Sequence, residues 1–164
     1  KTKIRKQEAN DWEDGKYEQY DSLCEAEPDE DDIFKWNLTL VGPEKTPYEG
    51  GTFYVTLNMS KQYPRVAPEV RFMTRIYHPS VRKEGADVGK LCKDIIKSVW
   101  TNNSKVVDVV ALLISMLKDP PTDNPVESSI AKEITSDPEA FKKKARQWAI
   151  HFADAEEDGD DEDE

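Results

Sequence analysis

Cysteine thiolates are among the strongest nucleophiles a chain can present near neutral pH, and this sequence has two cysteines, Cys24 and Cys92. Cys92 stands in the stretch VGKLCKDII, where Lys90, Lys93 and Lys97 surround it with positive charge, and such surroundings favour the thiolate. His78 lies upstream in the same glycine-bearing stretch, and Asp94 lies two residues beyond the thiol, so a base and an acid are both at hand. On spacing alone, a lone cysteine is more often a small buried hydrophobe than a nucleophile. A thiol hydrolase pairing Cys92 with His78 or His151 is a rival reading, but a triad is recognised by geometry that sequence does not show. Neither cysteine has a CxxC partner, and the two histidines do not make a zinc-site spacing. Two free thiols, no metal and no cofactor are expected.

These residues need elements to position them. Residues 4–12 are charged and free of Gly and Pro, with Ala9 and Trp12 at helical spacing, and predict a short helix. The run EAEPDEDD at residues 25–32 holds six acids and a proline and reads as a solvated loop. Phe34, Trp36, Leu38 and Leu40 then alternate with polar residues, as do Phe53, Val55 and Leu57, and then Val70 and Phe72. This is the period of half-buried strands, and it places an antiparallel meander within residues 33–74. Residues 76–101 show no clean period and form a long irregular segment of the kind that often carries function. From Val106 to Leu117 apolar residues fall nearly all round the helical wheel, as in a helix packed on several sides, ending at Pro120-Pro121. Asn124-Pro125-Val126-Glu127 resembles a capping box before another helix, so Asn124 reads first as a helix cap. Asp137-Pro138 opens a last helix with Phe141, Ala145, Trp148 and Phe152 along one stripe.

A chain of 164 residues with one such core suggests a single domain. Of its net charge of −11, nine negative charges fall in DAEEDGDDEDE at residues 154–164, which leaves −2 on the rest. The division expected is a catalytic domain over 1–153 and a disordered acidic tail over 154–164, a block too charged to offset its ordering entropy. An acidic protein with no basic face evident in sequence is a poor ligand for nucleic acid or anionic lipid. No apolar run approaches a membrane span, and the charged stretch KTKIRKQEAN has no signal-peptide h-region. The expectation is a monomeric protein of the cytoplasm or nucleus that works on protein partners.

The motifs TPYEGGTFYVTL, QYPRVAPEVRF, RIYHPSV, GKLCKDII, Trp100 and DPP…NP follow one another in an order that resembles the ubiquitin-conjugating enzyme family from about Asp31 to Phe152. The resemblance implies an α+β fold: an N-terminal helix, a four-stranded antiparallel meander and C-terminal helices, with the active cysteine in a shallow groove. The fourth strand has little period-2 signal, and the best place for it is near residues 21–24. The resemblance also implies that an activating enzyme hands ubiquitin or a ubiquitin-like modifier to Cys92 as a thioester. A lysine of a protein substrate, or the cysteine of a ubiquitin ligase, then takes it.

Several positions depart from the family pattern. The Asn that follows His78-Pro79 in the family is Ser80 here, a shorter donor, and loss of a direct oxyanion donor costs about 3 kcal/mol. Residues 81–91 are also a few longer than usual, which makes Asn102 and Asn103 alternative donors. Where the family has an acid near the thiol, this chain has Asn124 with Asp123 beside it, whereas Asp94 is retained. Arg65 and Thr101-Asn102-Asn103 replace the usual ligase contacts, and Glu25 replaces a small residue on the back of the sheet. Usual ligase anchoring and a second, non-covalent modifier contact are therefore not expected. A scaffold that keeps the fold without the activity is the remaining rival.

Overall fold

A computed structural model describes residues 2–157. Helix α1 (Thr2–Glu13) leads through a 3₁₀ turn at Glu18–Tyr20 into four strands, β1 (Cys24–Pro28), β2 (Lys35–Val41), β3 (Thr52–Asn58) and β4 (Glu69–Phe72). Four helices follow: α2 (Lys93–Val99), α3 (Val106–Lys118), α4 (Ser128–Ser136) and α5 (Pro138–Phe152). The strands lie in the order β1-β2-β3-β4, every pair antiparallel, as a meander requires.

The alternation of apolar residues sets both the register and the buried face. Trp36, Leu38 and Leu40 pair with Leu57, Val55 and Phe53, and Leu57 and Val55 pair in turn with Val70 and Phe72. All eight are buried. They share one core with Val109, Val110, Leu113 and Leu117 of α3 and with Phe141, Ala145 and Ala149 of α5. α3 stops before Pro120-Pro121, which cannot continue a helix. The Asp137 carboxylate caps α5 by accepting the Ala140 N–H at 3.2 Å.

Four expectations change. β1 occupies Cys24–Pro28, which meets the stretch suggested for the missing strand only at Cys24 and otherwise falls in the acidic run read as a loop. It is an edge strand: Cys24 is buried and Ala26 half-buried, while Glu25 and Glu27 point to water, which discourages edge-to-edge association. α2 lies inside the segment read as irregular. Only Ile96 of its seven residues is buried, so no apolar stripe announces it. The helix after Asn124 begins only at Ser128, and Asn124 adopts the left-handed region at φ 48, so it is not that helix's cap. Finally, the folded body does not end at residue 153. Ala155 is buried, its N–H donates to the Ala149 carbonyl at 3.1 Å, and Arg146 donates to the Glu156 carbonyl at 2.7 Å. The rest of the acidic tail, 158–164, lies outside the described residues.

Candidate active site

Cys92 is the residue just before α2, at the end of a flap formed by residues 81–91. The flap folds back on itself through the bridge between Val81 and Leu91. It also docks beside β4: Phe72 donates its N–H to the Gly89 carbonyl at 2.7 Å, and Leu91 donates to Val70 at 3.1 Å. Gly89 is required there. Its φ is 86, and a Cβ would come within 1.9 Å of the Phe72 carbonyl oxygen. The Cys92 N–H donates to the Ser80 carbonyl at 2.9 Å. The thiol is buried to 7 % exposure and its Sγ lies 3.7 Å from the Asn124 carbonyl oxygen.

Asn124 belongs to a strap, residues 122–127, that runs over the thiol. The Val126 and Glu127 N–H groups both donate to the Pro79 carbonyl at 3.0 Å, Arg82 donates to the Val126 carbonyl at 2.7 Å, and the Glu127 carboxylate accepts the Lys83 N–H at 3.1 Å. The thiol therefore sits in a narrow cleft between flap and strap. Two exposed carboxylates lie close to it along the chain, Asp94 in the first turn of α2, two residues past the thiol, and Asp123 next to Asn124 on the strap.

His78 is fully buried, and both ring nitrogens are committed to the backbone. Nδ1 accepts the Ser80 N–H at 3.0 Å and Nε2–H donates to the Met116 carbonyl at 2.8 Å. Burial lowers its pKa to about 4, so it is a neutral ring that shapes the loop under Cys92 and has no free nitrogen for a base. This removes the hydrolase reading through His78. His151 is exposed on α5, its ring edge-on to Phe152 at 4.5 Å, while the Cys92 Sγ faces Asn124.

Ser80 is 1 % exposed, its carbonyl accepts the Cys92 N–H and its own N–H donates to His78, so its backbone ties the thiol's residue to the buried ring. Asn102 and Asn103 follow the far end of the seven-residue α2, in a turn where the Asn103 N–H donates to the Thr101 hydroxyl at 3.2 Å. Of the three lysines near Cys92 in sequence, Lys90 is paired with Asp87 at 2.9 Å, and Lys93 and Lys97 face solvent along α2. Cys24 is at 1 % exposure in β1, and burial pushes its thiol up to about 12.

Other motif residues prove to be supports. The Tyr48 hydroxyl donates to the Tyr77 carbonyl at 2.7 Å, fixing the chain immediately before His78. The Tyr63 hydroxyl donates to the buried Glu8 carboxylate at 2.7 Å, which also accepts the Val106 N–H at the start of α3. Trp100 Nε1 donates to the Pro64 carbonyl at 2.7 Å, tying the end of α2 to the loop before β4. Beside that tie a hollow of about 520 Å³ is lined by Pro68, Val70, Leu91, Ile96 and Trp100, with Arg65 and Lys97 also bordering it. Sequence reasoning missed Arg82 and Lys83, and read Glu127 as part of a helix cap where it accepts the Lys83 N–H. They are polar loop residues whose roles depend on two segments about 40 positions apart meeting in space.

A four-stranded meander flanked by helices, with a thiol at the start of a short helix under a proline-bearing strap, defines a class of small α+β domains. A sequence model of the ubiquitin-conjugating enzyme family matches residues 5–149. The fold is similar to the crystal structure of a candidate ubiquitin conjugating enzyme from Plasmodium yoelii, with a TM-score of 0.80 and 28% identity over 92% of this chain and 93% of that one. The chain belongs to the ubiquitin-conjugating enzyme family. Membership implies a transferase of the ubiquitin-like conjugation pathway that works with ubiquitin, an activating enzyme and a ligase in general terms.

Proposed function

We propose that this protein accepts ubiquitin or a ubiquitin-like modifier from an activating enzyme as a thioester on Cys92, and passes it to a substrate lysine or a ligase cysteine. The observation that carries this reading is the contrast between the two thiols. Cys24 is sealed in the core and pushed up to about 12, whereas Cys92 opens α2 under a loop strap, its Sγ 3.7 Å from the carbonyl oxygen of the exposed Asn124. Loading is an exchange between thiols and needs little beyond access and thiolate character. Attack by an amine also needs the lysine neutral and oriented, a task for which the exposed carboxylates of Asp94 and Asp123 are the candidates. Free thiols suit a reducing compartment, cytoplasm or nucleus.

Incubation with a panel of modifiers and their activating enzymes, read on a non-reducing gel, tests the reading. A reductant-sensitive adduct is expected with one modifier, lost in Cys92→Ala and kept in Cys24→Ala. An adduct that persists in Cys92→Ala overturns it, and no adduct with any modifier favours a scaffold.

A further inference from the structure

We propose that Arg82 is a positioning residue: it latches strap 122–127 over Cys92 and so sets how open the thiol is to donor and acceptor. The inference concerns the same site as the proposed conjugating activity and takes its consequence for transfer from that reading.

The thiol that must react is only 7 % exposed, and the group over it is the Asn124 backbone, Sγ to carbonyl oxygen 3.7 Å. A bulky acyl donor reaches the sulfur only if the strap gives way. Three features make the strap movable. Asn124 holds a left-handed φ of 48, and Asp123 and Asn124 are exposed. α4 does not begin until Ser128, and its first hydrogen bond runs from the Ala131 N–H to the Glu127 carbonyl at 3.1 Å, so residues 122–126 have no helical hydrogen bonds of their own.

What holds the strap down comes from the flap and from Pro79. The Arg82 backbone is fixed, its N–H donating to the Lys90 carbonyl at 3.1 Å and its carbonyl accepting from Gly89 at 2.8 Å. The side chain therefore projects from a rigid base and donates to the Val126 carbonyl at 2.7 Å, two residues past Asn124. The neighbouring Lys83 N–H holds the Glu127 carboxylate at 3.1 Å. Arg82 is exposed, so this charged hydrogen bond is open to competition from water and can be broken without disturbing the core. Releasing it leaves the two backbone bonds to Pro79 and the Lys83–Glu127 contact as a hinge and frees the Asn124 end.

The test uses the full chain. Alkylation by iodoacetamide is followed in wild type, R82A and R82K, with Cys92 and Cys24 scored separately by mass spectrometry of their peptides. R82A is expected to speed Cys92 alkylation about tenfold, the loss of one modest charged hydrogen bond, with R82K between wild type and R82A because lysine keeps one donor. Cys24 should not change. An unaltered Cys92 rate overturns the latch, as does equal acceleration at Cys24, which would mean that the whole fold has loosened. If R82A does not fold, E127A reports on the same strap and should shift Cys92 in the same direction. Thioester loading is scored on the same preparations. Absence of loading in wild type counts against the conjugating activity and leaves the alkylation result to judge the latch. Normal loading with unaltered alkylation in the variants removes the latch alone.

Discussion

His78→Gln should flatten the dependence of stability on acid, and the size of the effect follows from the ring's surroundings. In the unfolded chain a histidine titrates near 6.5, whereas here burial holds it near 4, with both nitrogens tied to the Ser80 and Met116 backbone. The folded state therefore binds fewer protons than the unfolded state between these values. Stability is at its full value above about pH 6.5, falls as pH drops, and stops falling on this account below about pH 4. Over the whole window the loss is about 3 kcal/mol, and between pH 7.5 and 5 it is about 2 kcal/mol. The measurement is urea unfolding at several pH values from 7.5 to 5, above the range where most carboxylates titrate. Wild type should lose about 2 kcal/mol more than His78→Gln over that range, whatever the absolute cost of the substitution. Parallel slopes in the two proteins would refute the account of His78 as a buried neutral ring.

Three further outcomes follow from the same geometry. Ser80→Asn should lower stability by about 1–3 kcal/mol, read from the urea midpoint, because it adds volume at a 1 % exposed position, and it should not speed lysine discharge in single-turnover assays. Asn124→Ala should cost about 1 kcal/mol while Asn124→Gly is nearly neutral, since φ 48 penalises a Cβ without asparagine's local polar compensation; equal midpoints for the two would contradict this. A chain ending at residue 157 should keep wild-type stability, whereas one ending at 153 should lose about 1–2 kcal/mol with the burial of Ala155 and the Arg146–Glu156 contact, as thermal unfolding would register.

Most of the sheet was legible because one face of β2, β3 and β4 is sealed, and a sealed face forces strict alternation: Trp36, Leu38 and Leu40 leave no other reading. β1 was not legible because an edge strand buries little, and its two outward glutamates look like loop composition. α2 failed for a similar reason, one buried isoleucine in seven residues. α3 was plain, since its buried residues spread around most of the wheel. At the site, the motif around Cys92 was readable, but the roles of its neighbours were not. Asn124 looked like a cap because Asn-Pro-x-Glu is capping chemistry, yet its backbone is spent on the strap over the thiol. Ser80 looked like a donor because its side chain is polar, yet it is the carbonyl that is used. His78 is polar and upstream of a nucleophile, and only the structure reveals that two backbone groups already occupy it.

The placement of the two thiols at opposite margins of the sheet has a consequence for oxidative chemistry. Cys24 is on β1, and Cys92 follows the flap that docks beyond β4, so at least three strand spacings, about 14 Å, separate them. A disulfide needs Cα atoms within about 7 Å. Cys24 therefore cannot act as a resolving cysteine for Cys92. A peroxide that converts Cys92 to a sulfenic acid leaves a species that only an external thiol, such as glutathione or a partner's cysteine, can return to the reduced state before further oxidation makes the loss permanent.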